Sequence, residues 1–351
     1  MGLRKINGHG HLLPEPHQIP RFMRDKELFW IDADKKFMRQ KNWSRPITAP
    51  SFFLEEKRVW MQANEIEHAV ILNLSQLYGN GMTRTDAQAA LQFQNDFNAS
   101  VQAQYPKEFT TGFVVQPRYI DDALREIERC VEQQQMQLLC LPTHFLNEQE
   151  QWTSVADLAV NPIYELANDY GLAIEIHPYD GQKMIALQDQ YWRFHLVWMM
   201  AQTADTLHLY TLLDIPRRFP NIRTCFAHGC MLGQANFGRR MQGYQGRPDL
   251  FEGATSPKTS LGHPNLFFDT LVHDVDTFAL LLKRCGASQI IAGLDDPYPL
   301  GEMENVPDSY PGKVLDDALA AQLINQEQQQ AIWCDNIWRW LGKNDPTAYQ
   351  L

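Results

Sequence analysis

Eight short apolar runs recur along the chain, and most are separated by stretches with helical periodicity. They lie near residues 3–7 (LRKIN), 68–74 (HAVILNL), 109–115 (FTTGFVV), 136–141 (MQLLCL), 172–176 (LAIEI), 222–226 (IRTCF), 266–270 (LFFDT) and 289–293 (QIIAG). Such runs are nearly continuous in hydrophobicity, as parallel strands covered on both faces are. Residues 84–104, 120–134, 155–169 and 275–285 read as helices between them; in the second, Ala123, Ile127 and Val131 repeat at a four-residue spacing. This alternation predicts an α/β fold, a (β/α)8 TIM barrel. A doubly wound open sheet is the structural alternative, but no GxGxxG or GxxxxGK[ST] follows the first run, so nothing points to a nucleotide fold.

Two segments exceed a minimal barrel. Residues 12–56 are aromatic and locally basic, and read as an insertion after strand one lying over the barrel mouth, as a lid or a dimer arm. Residues 181–212, rich in Trp, Met and Phe, suit a helical pair packed on the barrel or on another subunit, or simply extra core. No repeat or Pro/Gly/Ser linker divides residues 1–351, so a single domain is expected. A hydrophobic fraction of 44% and a charged fraction of 21% exclude a disordered or collagenous chain. A net charge of −11 argues against nucleic acid and anionic membranes as partners, while leaving room for a pocket with local arginines. The six cysteines show no CxxC spacing and read as reduced thiols. With no long apolar run and no apolar stretch behind the N-terminus, a cytoplasmic protein is expected.

The chemistry is carried by where histidines and one aspartate fall. His9 and His11 follow strand one, His177 follows strand five, His228 lies just past strand six, and Asp295 lies just past strand eight. In a barrel of parallel strands all five converge on the C-terminal face, where barrel active sites are built. Alternate residues of an extended chain point the same way, so His9 and His11 can reach one metal together. Imidazole and carboxylate suit zinc or a similar divalent ion, and an open position would hold a water with a pKa lowered toward about 7. His144, just after strand four, is a secondary candidate for the pocket, and His68 reads as structural. No lysine ends strand four to bridge two metals, so one ion per chain is expected.

The stretches NGHGHLLP (7–14), EIHPYDG (175–181), CFAHGC (225–230) and GLDDPYPLGE (293–302) resemble the amidohydrolase superfamily, within it the branch of 2-amino-3-carboxymuconate-6-semialdehyde decarboxylase. The resemblance spans nearly the whole chain, and PYPLGE is its most specific stretch. It implies metal ligands at His9, His11, His177 and Asp295, an acid/base at His228, a substrate-carboxylate arginine at Arg45, and an arginine reaching a neighbouring subunit's site at Arg239, or Arg240 one register along. It therefore also implies a homodimer, Zn2+ or Mn2+ as cofactor, and a small carboxylate as substrate. Three departures mark this chain: Asn7 replaces the usual aspartate before HxH, Cys230-Met231-Leu232 replaces a glycine run, and Asp296 replaces an aromatic residue, where it would point away or tune the pocket.

A metal-dependent, non-oxidative decarboxylase follows as the leading expectation. The alternatives are a metal-dependent hydrolase of an amide, ester or lactone, a hydratase, and a metal-binding protein without turnover, since fold and metal site alone do not fix the reaction.

Overall fold

The computed structural model describes residues 2–178 and 190–343. Its main sheet has eight parallel strands in chain order: β1 (Lys5–His11), β2 (Ile66–Leu72), β3 (Phe109–Val114), β4 (Leu138–Pro142), β5 (Ala173–His177), β6 (Arg223–Phe226), β7 (Leu266–Asp269) and β8 (Ile290–Ile291). The first and last strands meet through backbone bonds. Gly8 N donates to Ala292 O at 2.8 Å, Asp295 N to His9 O at 2.7 Å, and His11 N to Asp296 O at 2.8 Å. With helices in the crossovers, this is a (β/α)8 TIM barrel.

The apolar runs form strands because both faces are covered. Ile6, Val70, Ile71, Phe113, Leu139, Ile174, Phe226, Phe268 and Ile291 are all fully buried in one core that includes the surrounding helices. Seven of those helices are α1 (Leu54–Ala63), α2 (Arg84–Gln104), α3 (Ile120–Glu128), α4 (Asn161–Asp169), α5 (Met199–Leu212), α6 (Phe237–Gly246) and α7 (Val275–Cys285). Two carry side-chain N-caps: Thr83 accepts from Asp86 N, and Asp274 from Thr277 N. The periodicity at 120–134 corresponds to α3 running into a π-helical turn at Arg129–Gln133, which buries Cys130.

The first strand differs from its expected bounds. It runs on through His11, so His9 and His11 lie on the strand, not after it. Two glycines and two histidines read as loop, yet their backbone is paired on both sides: irregularly to β2 and directly to the segment after β8.

Residues 12–56 carry a small antiparallel sheet of Trp30–Ile31, Phe37–Gln40 and Trp43–Pro46. Its apolar side chains, among them Met23, Phe29, Met38 and Phe52, bury against Leu74 and Leu77 after β2 and Tyr298 after β8. Both contacts are with loops at strand C-termini, so the segment lies at the end of the barrel where β1, β5 and β6 deliver their histidines. Of the 181–212 stretch, residues 181–189 lie outside the described residues, as do 179–181 of EIHPYDG; the rest is a π-helical turn at Phe194–Trp198 continuing into α5. All six cysteines are free thiols, and no helix among the described residues is long and apolar enough to cross a membrane.

Candidate metal centre and pocket

Four side chains meet at the C-terminal end of the barrel. His9 and His11 come from β1, His177 from the last position of β5, and Asp295 from the turn after β8, where its φ of 50° bends the backbone back toward β1. One donor atom from each lies within 4.8 Å of the others. His9 Nε2 sits 3.2 Å from His11 Nε2, and Asp295 Oδ1 is 3.0 Å from His11 Nε2 and 3.5 Å from His9 Nε2. His177 turns its Nδ1 to Pro178 O at 2.8 Å, and its buried Nε2 has no hydrogen-bond partner among the described residues. Three imidazole nitrogens and one carboxylate oxygen, crowded together with an unsatisfied nitrogen among them, fit a single divalent cation.

A second aspartate organises this group. Asp269, the last residue of β7, accepts from His9 Nδ1 at 2.8 Å and from the backbone N–H groups of His228 (3.0 Å), Gly229 (2.9 Å) and Leu271 (3.1 Å). That fixes the His9 tautomer, leaving Nε2 toward the cluster. Burial pulls His9 down, but the Asp269 hydrogen bond and the charges of Asp295, Asp269 and Glu175 outweigh it, so its pKa is pushed up to about 9. Burial holds His11 below the ordinary histidine value, and His177 well below it, the latter with help from the neighbouring histidines. Burial disfavours the charged forms of Asp295 and Asp269, yet hydrogen bonds from histidines keep both below the usual carboxylate range. Glu175, on β5, is buried with neither oxygen hydrogen-bonded among the described residues, and burial pushes its carboxyl well above that range.

His228 closes the cluster. It follows β6 in a left-handed turn with φ values of 57°, 57° and 45° at His228, Gly229 and Cys230. Glycine at 229 is required, since a Cβ there would stand 2.6 Å from Val272 Cγ1. The turn puts His228 Nε2 3.8 Å from Asp295 Oδ2.

These groups open onto a mostly apolar pocket. Its walls are Trp192, Leu196, Met199, Met200, Met231, Leu271, Tyr298 and Leu300, with Arg45, Ser75, His195 and His273 as polar points. Arg45 is the one lysine or arginine among its described lining residues. Its guanidinium donates to His195 Nε2 and lies 5.4 Å from the Tyr298 ring centroid and 5.7 Å from that of Trp43.

The remaining residues singled out in the sequence lie outside this pocket; of them only His144, a secondary candidate for it, differs from its expected place. Arg239 is exposed on α6, in a surface groove apart from this pocket. Arg240 is buried against α5, bonded to Thr211 Oγ1, Leu207 O and His208 Nδ1. His144 stands outside the pocket on a short hairpin, with Nε2 2.9 Å from Asp205. His68 bonds Lys107 O and Thr110 Oγ1, both at 2.9 Å. Asp296 is fully buried against Asn7 and Lys57, away from the pocket. Asp269, Glu175, His195, His273 and Tyr298 border or support the site without a role assigned from sequence. Asp269 carried the same signal as Asp295, a carboxylate at a strand end; His195 sits in the Trp- and Met-rich stretch, where spacing gives no sign of a pocket.

The family model described as amidohydrolase matches residues 6–343. A Dictyostelium discoideum protein named 2-amino-3-carboxymuconate-6-semialdehyde decarboxylase is 25% identical, over 98% of this chain and 93% of that one. Among solved structures, 5-carboxyvanillate decarboxylase LigW from Sphingomonas paucimobilis superposes with a TM-score of 0.74 at 17% identity, over 98% of this chain and 100% of that one. Dihydroxybenzoic acid decarboxylase from Polaromonas, solved with bound manganese and 2-nitroresorcinol, superposes with a TM-score of 0.68 at 14% identity, over 97% of each chain.

Proposed function

This chain belongs to the amidohydrolase family, and from that premise we propose that it is a metal-dependent, non-oxidative decarboxylase of a small unsaturated or aromatic carboxylic acid. The observation that carries the reading is the convergence of His9, His11, His177 and Asp295 at the base of an apolar pocket with Arg45 on its wall. The names of the relative and of the two solved structures point the same way. We assign the four as ligands of one Zn2+ or Mn2+, the latter being the ion in the Polaromonas structure. Residues 12–56 belong to the same single domain and act at its mouth.

When bound, the cation supplies Lewis-acid polarisation of a substrate oxygen and stabilises negative charge that develops during reaction. The rest falls to the side chains. Arg45, oriented by His195 and Tyr298, binds a substrate carboxylate bidentately. Met199, Met200, Met231 and Leu271 hold the unsaturated skeleton and exclude water. The bond to the departing carboxylate breaks, its electron pair enters the conjugated system, and the carbon takes the proton held at His228 Nε2. Carbon dioxide leaves neutral, and His228 regains its proton from solvent. In a homodimer, Arg239 of the partner copy would supply a second positive charge.

The test is a carbon dioxide release assay on metal-loaded protein with aminocarboxymuconate semialdehyde, hydroxybenzoates, a lactone and an amide. Carbon dioxide from an unsaturated or aromatic acid supports the reading. Hydrolysis without carbon dioxide reassigns the site to a hydrolase.

A further inference from the structure

Beside the ligand cluster, at the seam where β1 meets the segment after β8, lie three polar side chains that the proposed chemistry does not use. Lys57 from α1, Asn7 from β1 and Asp296 are each 0% exposed, and none lines the pocket. Lys57 Nζ donates to Asp296 Oδ2 and to Asp296 O, the latter at 3.3 Å. Asn7 Nδ2 donates to Asp296 Oδ1. The bonds continue into the backbone of the ligands: Asn7 Oδ1 accepts from His9 N at 3.0 Å and Leu294 N at 3.1 Å, and Asp296 O accepts from His11 N at 2.8 Å.

Burying an ammonium and a carboxylate is costly, and their mutual attraction does little more than offset it, so a buried pair is a poor device for stability alone. Its place is more informative. It ties the strand that carries His9 and His11 to the turn that carries Asp295, and the chain has left space for it. A Cβ on Gly10 would lie 2.8 Å from Asp296 Oδ1 and 2.9 Å from Asn7 Nδ2, so only glycine between the two histidines admits the cluster.

We infer that Lys57 and Asp296, coupled through Asn7, are positioning residues for the metal centre, setting the spacing between the β1 histidines and Asp295. The inference rests on the metal-centre reading above. It explains two of the departures seen in sequence, Asn7 for an aspartate and Asp296 for an aromatic residue, as one coupled change. Asn7 can donate to Asp296 while accepting from His9 N and Leu294 N. A carboxylate at 7 could not donate, and would set two negative charges against the single Lys57 ammonium. Position 7 tolerates aspartate only when position 296 is neutral. With the two side chains exchanged, the amide at position 296 would donate to the carboxylate at position 7 and accept from Lys57.

The test uses full-length metal-free protein titrated with zinc ion alone against a chromophoric chelator, and the visible spectrum of the cobalt(II)-loaded form. The parent should bind about one zinc per chain. Asn7→Asp and Lys57→Met should each weaken zinc binding tenfold or more and alter the cobalt spectrum, with circular dichroism retained. The double variant Asn7→Asp/Asp296→Asn should return to within about threefold of the parent and restore the spectrum. Folded single variants that bind zinc as the parent does would overturn the inference, as would a double variant no better than Asn7→Asp. If Lys57→Met fails to fold, the Asn7→Asp and double-variant comparison decides by the same criteria. A parent that binds no zinc would overturn the metal-centre reading itself, a result distinct from equal binding by all variants.

Discussion

Asp269→Asn separates the charge of this carboxylate from its shape. Its Oδ2 accepts from His9 Nδ1 and His228 N, and its Oδ1 from Gly229 N and Leu271 N. An asparagine offers one oxygen and one NH2, so whichever way the amide turns, two of the four donors face another donor. Hydrogen bonds to a charged group are worth about 1.5–3 kcal/mol each, so losing two puts the loss of stability at about 3–6 kcal/mol. For a chain of this size that is a fall of roughly 5–10 °C in melting midpoint. The second effect is on the metal: whichever way the amide turns, His9 Nδ1 no longer faces a charged acceptor, and affinity should fall about 10–100-fold. Thermal melts of the metal-free protein and chelator competition for zinc read the two effects separately. An Asp269→Asn protein with the parent's midpoint and the parent's zinc affinity would refute the reasoning.

Three further outcomes are expected. His228→Ala should lower carbon dioxide release by about 10²–10⁴-fold while zinc content stays at the parent's value; undiminished turnover would remove His228 from the proton transfer. Arg45→Met, which removes the one lysine or arginine among the described pocket lining, should lower kcat/KM about 10–100-fold, chiefly through KM; a loss confined to kcat would argue against a binding role. Glu302 accepts from Val314 N, and burial is the main cause pushing its carboxyl up to about 7. Its folded pKa exceeds its unfolded one, so the stability it contributes is fully present below about 4.5 and lost as pH rises through about 7, a change on the order of 3 kcal/mol. Relative to Glu302→Gln, the parent's melting midpoint should therefore fall between pH 4.5 and 7, and parallel profiles would contradict this.

The barrel was legible in sequence because parallel strands must be apolar on both faces, and seven of the eight runs coincide with strands to within about two residues. The exception was the end of β1, where Gly8 and Gly10 read as loop although they are the residues that let two backbones and a buried cluster approach. The grouping of His9, His11, His177, His228 and Asp295 was legible because strand ends share one face of the barrel. What surrounds them was not. Lys57 sits in LEEKRVWMQA, where a lysine among glutamates reads as a solvated helix face. Only the packing of α1 against the closure of the barrel makes it a buried cation. His195 and Met200 belong to a helix whose apolar residues read equally well as core, and their turn toward the pocket depends on where α5 docks.

The central claim is that one cation sits between β1, β5 and the turn after β8. Anomalous X-ray diffraction from crystals of manganese- or zinc-loaded protein tests it most directly. The account predicts one strong peak per chain, about 2.1 Å from nitrogens of His9, His11 and His177 and from an Asp295 oxygen. A peak elsewhere, or none at these four side chains in fully loaded protein, would contradict it.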